Sequence, residues 1–137
     1  MMNRKFILTI CKYHILSALC GLMIFALSVI QIPQQEDPIM IPYFDKIVHF
    51  LMYFVFSLLF LYENFHSNIE KKKKPIKIYL VTIFLSLIIG GIIEIIQSDF
   101  TTYRSGDILD WYFDMAGSIT AIAIAELFRL ASQGRGR

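Results

Sequence analysis

Apolar residues run through this 137-residue chain in four long blocks set apart by polar stretches. A helix crossing a bilayer core of roughly 30 Å needs about 20 mostly apolar residues. The first block covers 13–32, and Tyr13 to Gln35 holds no Asp, Glu, Lys or Arg. The second covers 46–65, where Ile47 to Tyr62 is interrupted only by His49. The third covers 77–97, with Glu94 near its far end. The fourth, 108–130, carries Asp110 and Asp114 early and Glu126 and Arg129 late, leaving only Met115 to Ala125 free of charge. A helix packed among three others tolerates such polar ends. The pattern predicts an all-α, four-helix transmembrane bundle forming one domain over 1–137.

The charges give the bundle a direction. Eleven of the thirteen basic residues lie at the N-terminus (Arg4, Lys5, Lys12), between blocks two and three (Lys71 to Lys74, Lys77) or near the C-terminus (Arg129, Arg135, Arg137), leaving Lys46 and Arg104 on the other side. By the positive-inside rule both termini are cytoplasmic in a multi-pass protein of the cell membrane. The lysine run reads first as this topology signal and second as a dock for anionic lipid. Aromatic residues fall at both expected interfaces, Tyr13, Tyr62, Phe65, Tyr79 and Phe128 inside and Tyr43, Trp111 and Tyr112 outside. Acids segregate the opposite way. Glu36, Asp37, Asp45, Glu94, Asp99, Asp107, Asp110 and Asp114 all map to the outer side, eight acids against two bases.

Composition agrees: 56% of residues are hydrophobic and 18% charged, with a mean hydropathy of +0.59, which excludes a disordered tail and argues against a soluble enzyme. Cys11 and Cys20 lack metal-site or redox spacing and read as small apolar residues. A lipoprotein signal ending at Cys20 is disfavoured by the large Leu19 and by an apolar run that continues to Ile32.

Candidate chemistry lies on three stripes. Asp45, His49 and Tyr53 follow at i, i+4 and i+8, one face of a helix on which Tyr53 lies roughly 12 Å below Asp45. Ser86, Gly90, Glu94 and Gln97 share a face of the third block, and Asp107, Asp110, Asp114 and Gly117 a face of the fourth. Lipid satisfies none of these groups, so the stripes should turn towards one another. The expected result is an acidic pocket opening outward, lined by Asp45, His49, Tyr53, Glu94, Gln97, Arg104, Asp107, Asp110 and Asp114. Gly90, Gly91, Gly117 and Ala121 would permit close helix packing.

Plainer readings stand beside that one. Asp107 suits a helix N-cap, Asp110 a first turn and Asp45 a second cap, while His49 suits a hydrogen bond pinning two helices. Glu94 and Asp114 lie inside the spans, where caps do not account for them. Asp45, His49 and Glu94 form a weak divalent-metal candidate, without a compact two-histidine motif. Paired acids also suit general acid–base work, although no activated nucleophile is evident. No cofactor is firmly implied, and no nucleic-acid partner is expected; the partner that the residues themselves point to is the lipid bilayer.

Three motifs in order, Pro42-x-x-Asp45-Lys46-x-x-His49-Phe50-x-x-Tyr53, Gly91-x-x-Glu94-x-x-Gln97 and Arg104-x-x-Asp107-x-x-Asp110 leading to Gly117, resemble the VanZ-like family over about residues 40–125. Where that family more often shows Asn ahead of the final glycine, this chain has Asp114. The resemblance implies a helical integral membrane protein acting at the cell envelope, and its namesake function is reduced susceptibility to the glycopeptide teicoplanin. Residues alone leave two other functions open: a membrane-embedded enzyme acting on a lipid-linked or cell-wall substrate, and a structural or partner-binding subunit.

Overall fold

A computed structural model describes residues 14–29, 43–66, 75–100 and 107–134. They form α1 (Ile15–Val29), α2 (Phe44–His66), α3 (Pro75–Phe100) and α4 (Ile108–Gly134), one helix for each apolar block. Arg4, Lys5, Cys11, Lys12, Tyr13, Glu36, Asp37, Pro42, Lys71 to Lys74, Arg104, Arg135 and Arg137 lie outside the described residues. Three helices are long and apolar enough to cross a membrane: Phe44–His66, Pro75–Asp99 and Ile108–Ser132, with mean hydropathies of 1.7, 2.4 and 1.3. The lowest value belongs to the helix carrying Asp110 and Asp114. α1 has 15 residues and rises only about 22 Å. Three such helices make the chain a multi-pass membrane protein.

Burial follows the inverse of a soluble protein. Twelve polar or charged residues are buried among the described residues against eight apolar ones, while Leu22, Phe84, Ile95, Leu127 and Phe128 are exposed. In water this arrangement would expose apolar surface on every side. In lipid it is the stable one, because the tails cover the apolar exterior and the polar groups find each other inside.

α2 against α4 is the most extensive interface, and α1 packs on α2 and α3. Two features let α2 and α4 approach. Gly117 sits against the α2 backbone, where an added Cβ would lie 2.3 Å from the Phe50 carbonyl oxygen and 3.0 Å from the Phe54 nitrogen. Ala121, one turn on, is fully buried. Between the helices Ser57 Oγ donates to Ser118 Oγ at 3.0 Å, and Ser118 Oγ donates to Ser86 Oγ of α3 at 2.8 Å. Interhelical bonds of this kind contribute roughly 0.6–2 kcal/mol each in a membrane. Cys20, Ile24, Tyr53, Phe56 and Ile93 form the apolar core, with Cys20 packing as a small apolar side chain.

One end of the bundle is closed by two self-contained polar groups. Glu63, buried near the end of α2, accepts from the Leu16 N–H at 2.7 Å and from the Ser17 hydroxyl at 2.5 Å, with the Ser17 N–H at 3.3 Å. A carboxylate is thereby placed against the first, unpaired N–H groups of α1, where the helix dipole favours negative charge. Nearby, Glu126 accepts from Arg129 Nε at 2.7 Å and from the Tyr79 hydroxyl of α3.

Candidate functional site

The opposite end, where α2 and α4 begin and α3 closes, gathers the charged side chains. Tyr43 leads into α2 with φ of 63°, a left-handed turn that a bulky residue rarely adopts, and its carbonyl accepts from the Ile47 N–H at 3.1 Å. From that start the buried face of α2 runs Lys46, His49, Tyr53, Phe56 and Ser57. Asp45 falls at the edge, with its side chain 47% exposed. Lys46 is therefore the innermost charge of the first turn, a role the sequence stripe through Asp45 misses. The signal was present: steps of 3, 4 and 4 link Lys46 to His49, Tyr53 and Ser57.

Lys46 Nζ meets three carboxylates: Asp107 Oδ2 at 2.6 Å, Asp110 Oδ1 at 2.9 Å and Asp45 Oδ2 at 3.2 Å. The Lys46 side chain is 6% exposed and its ammonium meets three acceptors, the arrangement that makes burial of a lysine tolerable. Asp107 does two things at once. Its Oδ1 accepts from the Leu109 N–H at 2.9 Å as the N-cap of α4, and its Oδ2 holds Lys46. The bond from the Lys46 ammonium holds the Asp107 carboxyl below the ordinary carboxylate range.

Glu94 of α3 fixes the same corner from the other side. Its Oε2 accepts from the Asp107 N–H at 2.7 Å, while its Oε1 is buried and has no hydrogen-bond partner. Deeper, His49 Nδ1 pairs with Asp114 Oδ1 at 3.0 Å, and His49 Nε2 faces Asp110 Oδ2 at 3.7 Å. His49 and Asp114 are almost completely buried, so exposure falls with depth from Asp45 and Asp107 through Asp110 to Asp114. Below them the Tyr53 hydroxyl is buried without a partner. A Cβ on Gly90 would lie 2.8 Å from Asp114 Oδ2, 3.0 Å from Trp111 Cδ1 and 3.4 Å from the Tyr53 hydroxyl. Gly90 thus makes room for side chains of the cluster, whereas a Cβ on Gly91 would meet only Trp111 Nε1, at 3.9 Å.

The predicted set is thereby divided. Asp45, His49, Tyr53, Glu94, Asp107, Asp110 and Asp114 come to this end on three helices. Gln97 turns to α1 instead, its Nε2 donating to the Ser28 carbonyl at 2.9 Å. Arg104 lies outside the described residues. One ligating atom from each of His49, Glu94 and Asp110 falls within 4.8 Å of the others, a group that contains Asp110 and not the edge residue Asp45. The apolar groove on α3 lined by Leu80, Val81, Ile83, Phe84 and Leu87 carries no polar group.

The arrangement offers one imidazole, three carboxylates below the surface and one ammonium in a site shielded by helices on several sides. It is suited to binding a cation or a polar group and to moving a proton between carboxylates. No curated protein and no solved structure matches the chain. The family model described as VanZ/LLP1 matches residues 7–129, a span that takes in every helix contributing to the cluster and nearly the whole sequence. On that match the chain belongs to the VanZ/LLP1 family.

Proposed function

We propose that this protein acts at the cell envelope, with the charged cluster at the outer face of the membrane, and lowers susceptibility to teicoplanin-type glycopeptides. The cluster would engage a polar or cationic group of a lipid-linked cell-wall component or of the drug. The observation that carries this reading is the convergence of Lys46, His49, Glu94, Asp110 and Asp114 from three helices at one end of the bundle. An ionised side chain placed within a span costs roughly 2.5–3.5 kcal/mol at the bilayer centre and less near an end. Apolar residues of similar volume would pack the same helices at no such cost. Family membership and the outward segregation of acids support the envelope setting.

The test is teicoplanin susceptibility of a sensitive host expressing wild type or Asp110→Asn at matched membrane abundance. Protection by wild type that disappears in the variant is the expected result, and no protection from either overturns the resistance role. Orientation is checked separately with a reporter at Lys72, expected in the cytoplasm; an external reporter would put the cluster on the wrong side. The proximity of His49, Glu94 and Asp110 favours a second reading, a membrane-embedded enzyme on a lipid-linked substrate with Glu94 and Asp110 exchanging protons and His49 orienting them. A third, a structural or partner-binding subunit, predicts instead that Asp110→Asn and Glu94→Gln lose membrane abundance.

A further inference from the structure

Each of the three side chains that approach one another has one polar atom already engaged and another left over. His49 gives Nδ1 to Asp114 at 3.0 Å, and its Nε2 has only the 3.7 Å approach to Asp110 Oδ2. Asp110 gives Oδ1 to Lys46 at 2.9 Å. Glu94 gives Oε2 to the Asp107 N–H at 2.7 Å and keeps a buried Oε1 with no partner. An engaged outer atom and a free inner atom is how a protein orients metal ligands, with a carboxylate behind the histidine fixing its tautomer and raising its basicity.

A further observation, separate from the carboxylates, points to a ligand at this depth. Tyr53 is 1% exposed, and its hydroxyl finds no partner although it lies beside Asp114 across Gly90. A buried hydroxyl without a bond costs about 1–3 kcal/mol. The ammonium of Lys46 is already shared by Asp45, Asp107 and Asp110, so it is not a partner for the free Glu94 oxygen.

We infer that His49, Glu94 and Asp110 bind a divalent transition-metal ion, zinc before magnesium or calcium because an imidazole is among the ligands. Three protein ligands leave a fourth position for water or a substrate oxygen. Ligand atoms at about 2.1 Å from zinc in a tetrahedron stand about 3.4 Å apart. With the atoms within 4.8 Å of one another, the widest pair closes by up to about 1.4 Å on binding. The inference deepens the proposed function and rests on its premise that this cluster is a site rather than packing.

The experiment measures metal content by elemental analysis of the full chain purified in detergent without chelator, followed by removal of metal and titration with zinc against a chromophoric chelator. Wild type is expected to carry and rebind about one zinc per chain. His49→Ala and Glu94→Gln are expected to lose it, and Asp114→Asn, which frees the His49 ring, to bind roughly 10- to 100-fold more weakly. Glu63→Gln, at the other end of the bundle, is the control and should load fully. A wild type that stays helical and monodisperse yet neither carries nor rebinds zinc, manganese or iron overturns the inference, as does undiminished zinc binding by His49→Ala. Loss of metal is separable from loss of function. Teicoplanin protection by a metal-free wild type overturns the site proposed here alone, and zinc binding without protection overturns the resistance role alone.

Discussion

The two ends of the bundle both bury acids, and they do so in opposite ways. At the α1 end Glu63 is consumed by its surroundings: two backbone N–H groups and a hydroxyl of one helix terminus take up its oxygens. Glu126 is taken up likewise by Arg129 and Tyr79. At the other end Lys46 anchors Asp107 and Asp110, but the bonding stops short of completion, leaving Glu94 Oε1 and the Tyr53 hydroxyl unpartnered. The contrast lies in the carboxylates themselves, for His14 Nδ1, 3.7 Å from Glu63 Oε2, is also buried without a hydrogen-bond partner. An acid whose oxygens are all taken up by the fold acts as a cap, whereas one that keeps a buried oxygen without a partner is open to a ligand. The difference separates a cap from a site even though both are buried carboxylates in membrane helices.

Substitutions can break the comparison at either end. The largest effect is expected from Lys46→Met, which strips the only buried ammonium among the described residues from Asp107 and Asp110. Removing one partner of a buried pair costs about 3–5 kcal/mol. Unfolding in detergent should show that loss, and adding Asp110→Asn should restore part of it; an unchanged midpoint in the single variant would mean that the ion cluster does not organise this end. Gly117→Ala follows at about 1–3 kcal/mol, since its Cβ meets the α2 backbone rather than a movable side chain. Glu63→Ala should cost about 1–2 kcal/mol by uncapping α1, while each folded molecule keeps whatever protection and metal binding the wild type has. A change in either per folded molecule would mean that the two ends are coupled.

The smallest effect concerns pH. Asp107 is held below its ordinary carboxylate range by Lys46, so its folded form is favoured above that range. This contribution is present at neutral pH and is lost as pH falls below about 4 through the lowered value. Asp107→Asn should flatten that part of the acid limb of an unfolding curve. Because the side chain is 39% exposed, solvent screening keeps the change small.

Helix positions were legible because each of the four helices is built on one apolar block. The N-cap role of Asp107 was equally readable, since a cap depends on local sequence. Partners were harder. A stripe tells which face a residue occupies but not which helix lies opposite, so Gln97 shares the face of Glu94 yet bonds α1. By its sequence Lys46 reads as a topology charge, and a register through Asp45 misses it by one residue, a rotation of about 100° around the helix. Glu63 carried no signal at all, because its partners are backbone N–H groups of a helix 46 residues away.

The central claim is that the Glu94 carboxylate at the charged end is kept for a ligand and not for the fold, and the unfolding temperature of Glu94→Gln in detergent tests it most directly. The amide oxygen can still accept from the Asp107 N–H while one negative charge disappears. If the account holds, the variant unfolds at the wild-type temperature or above it, in the manner of a site that trades stability for function. A fall of several degrees would contradict it, for it would show that the Glu94 charge holds the helices together.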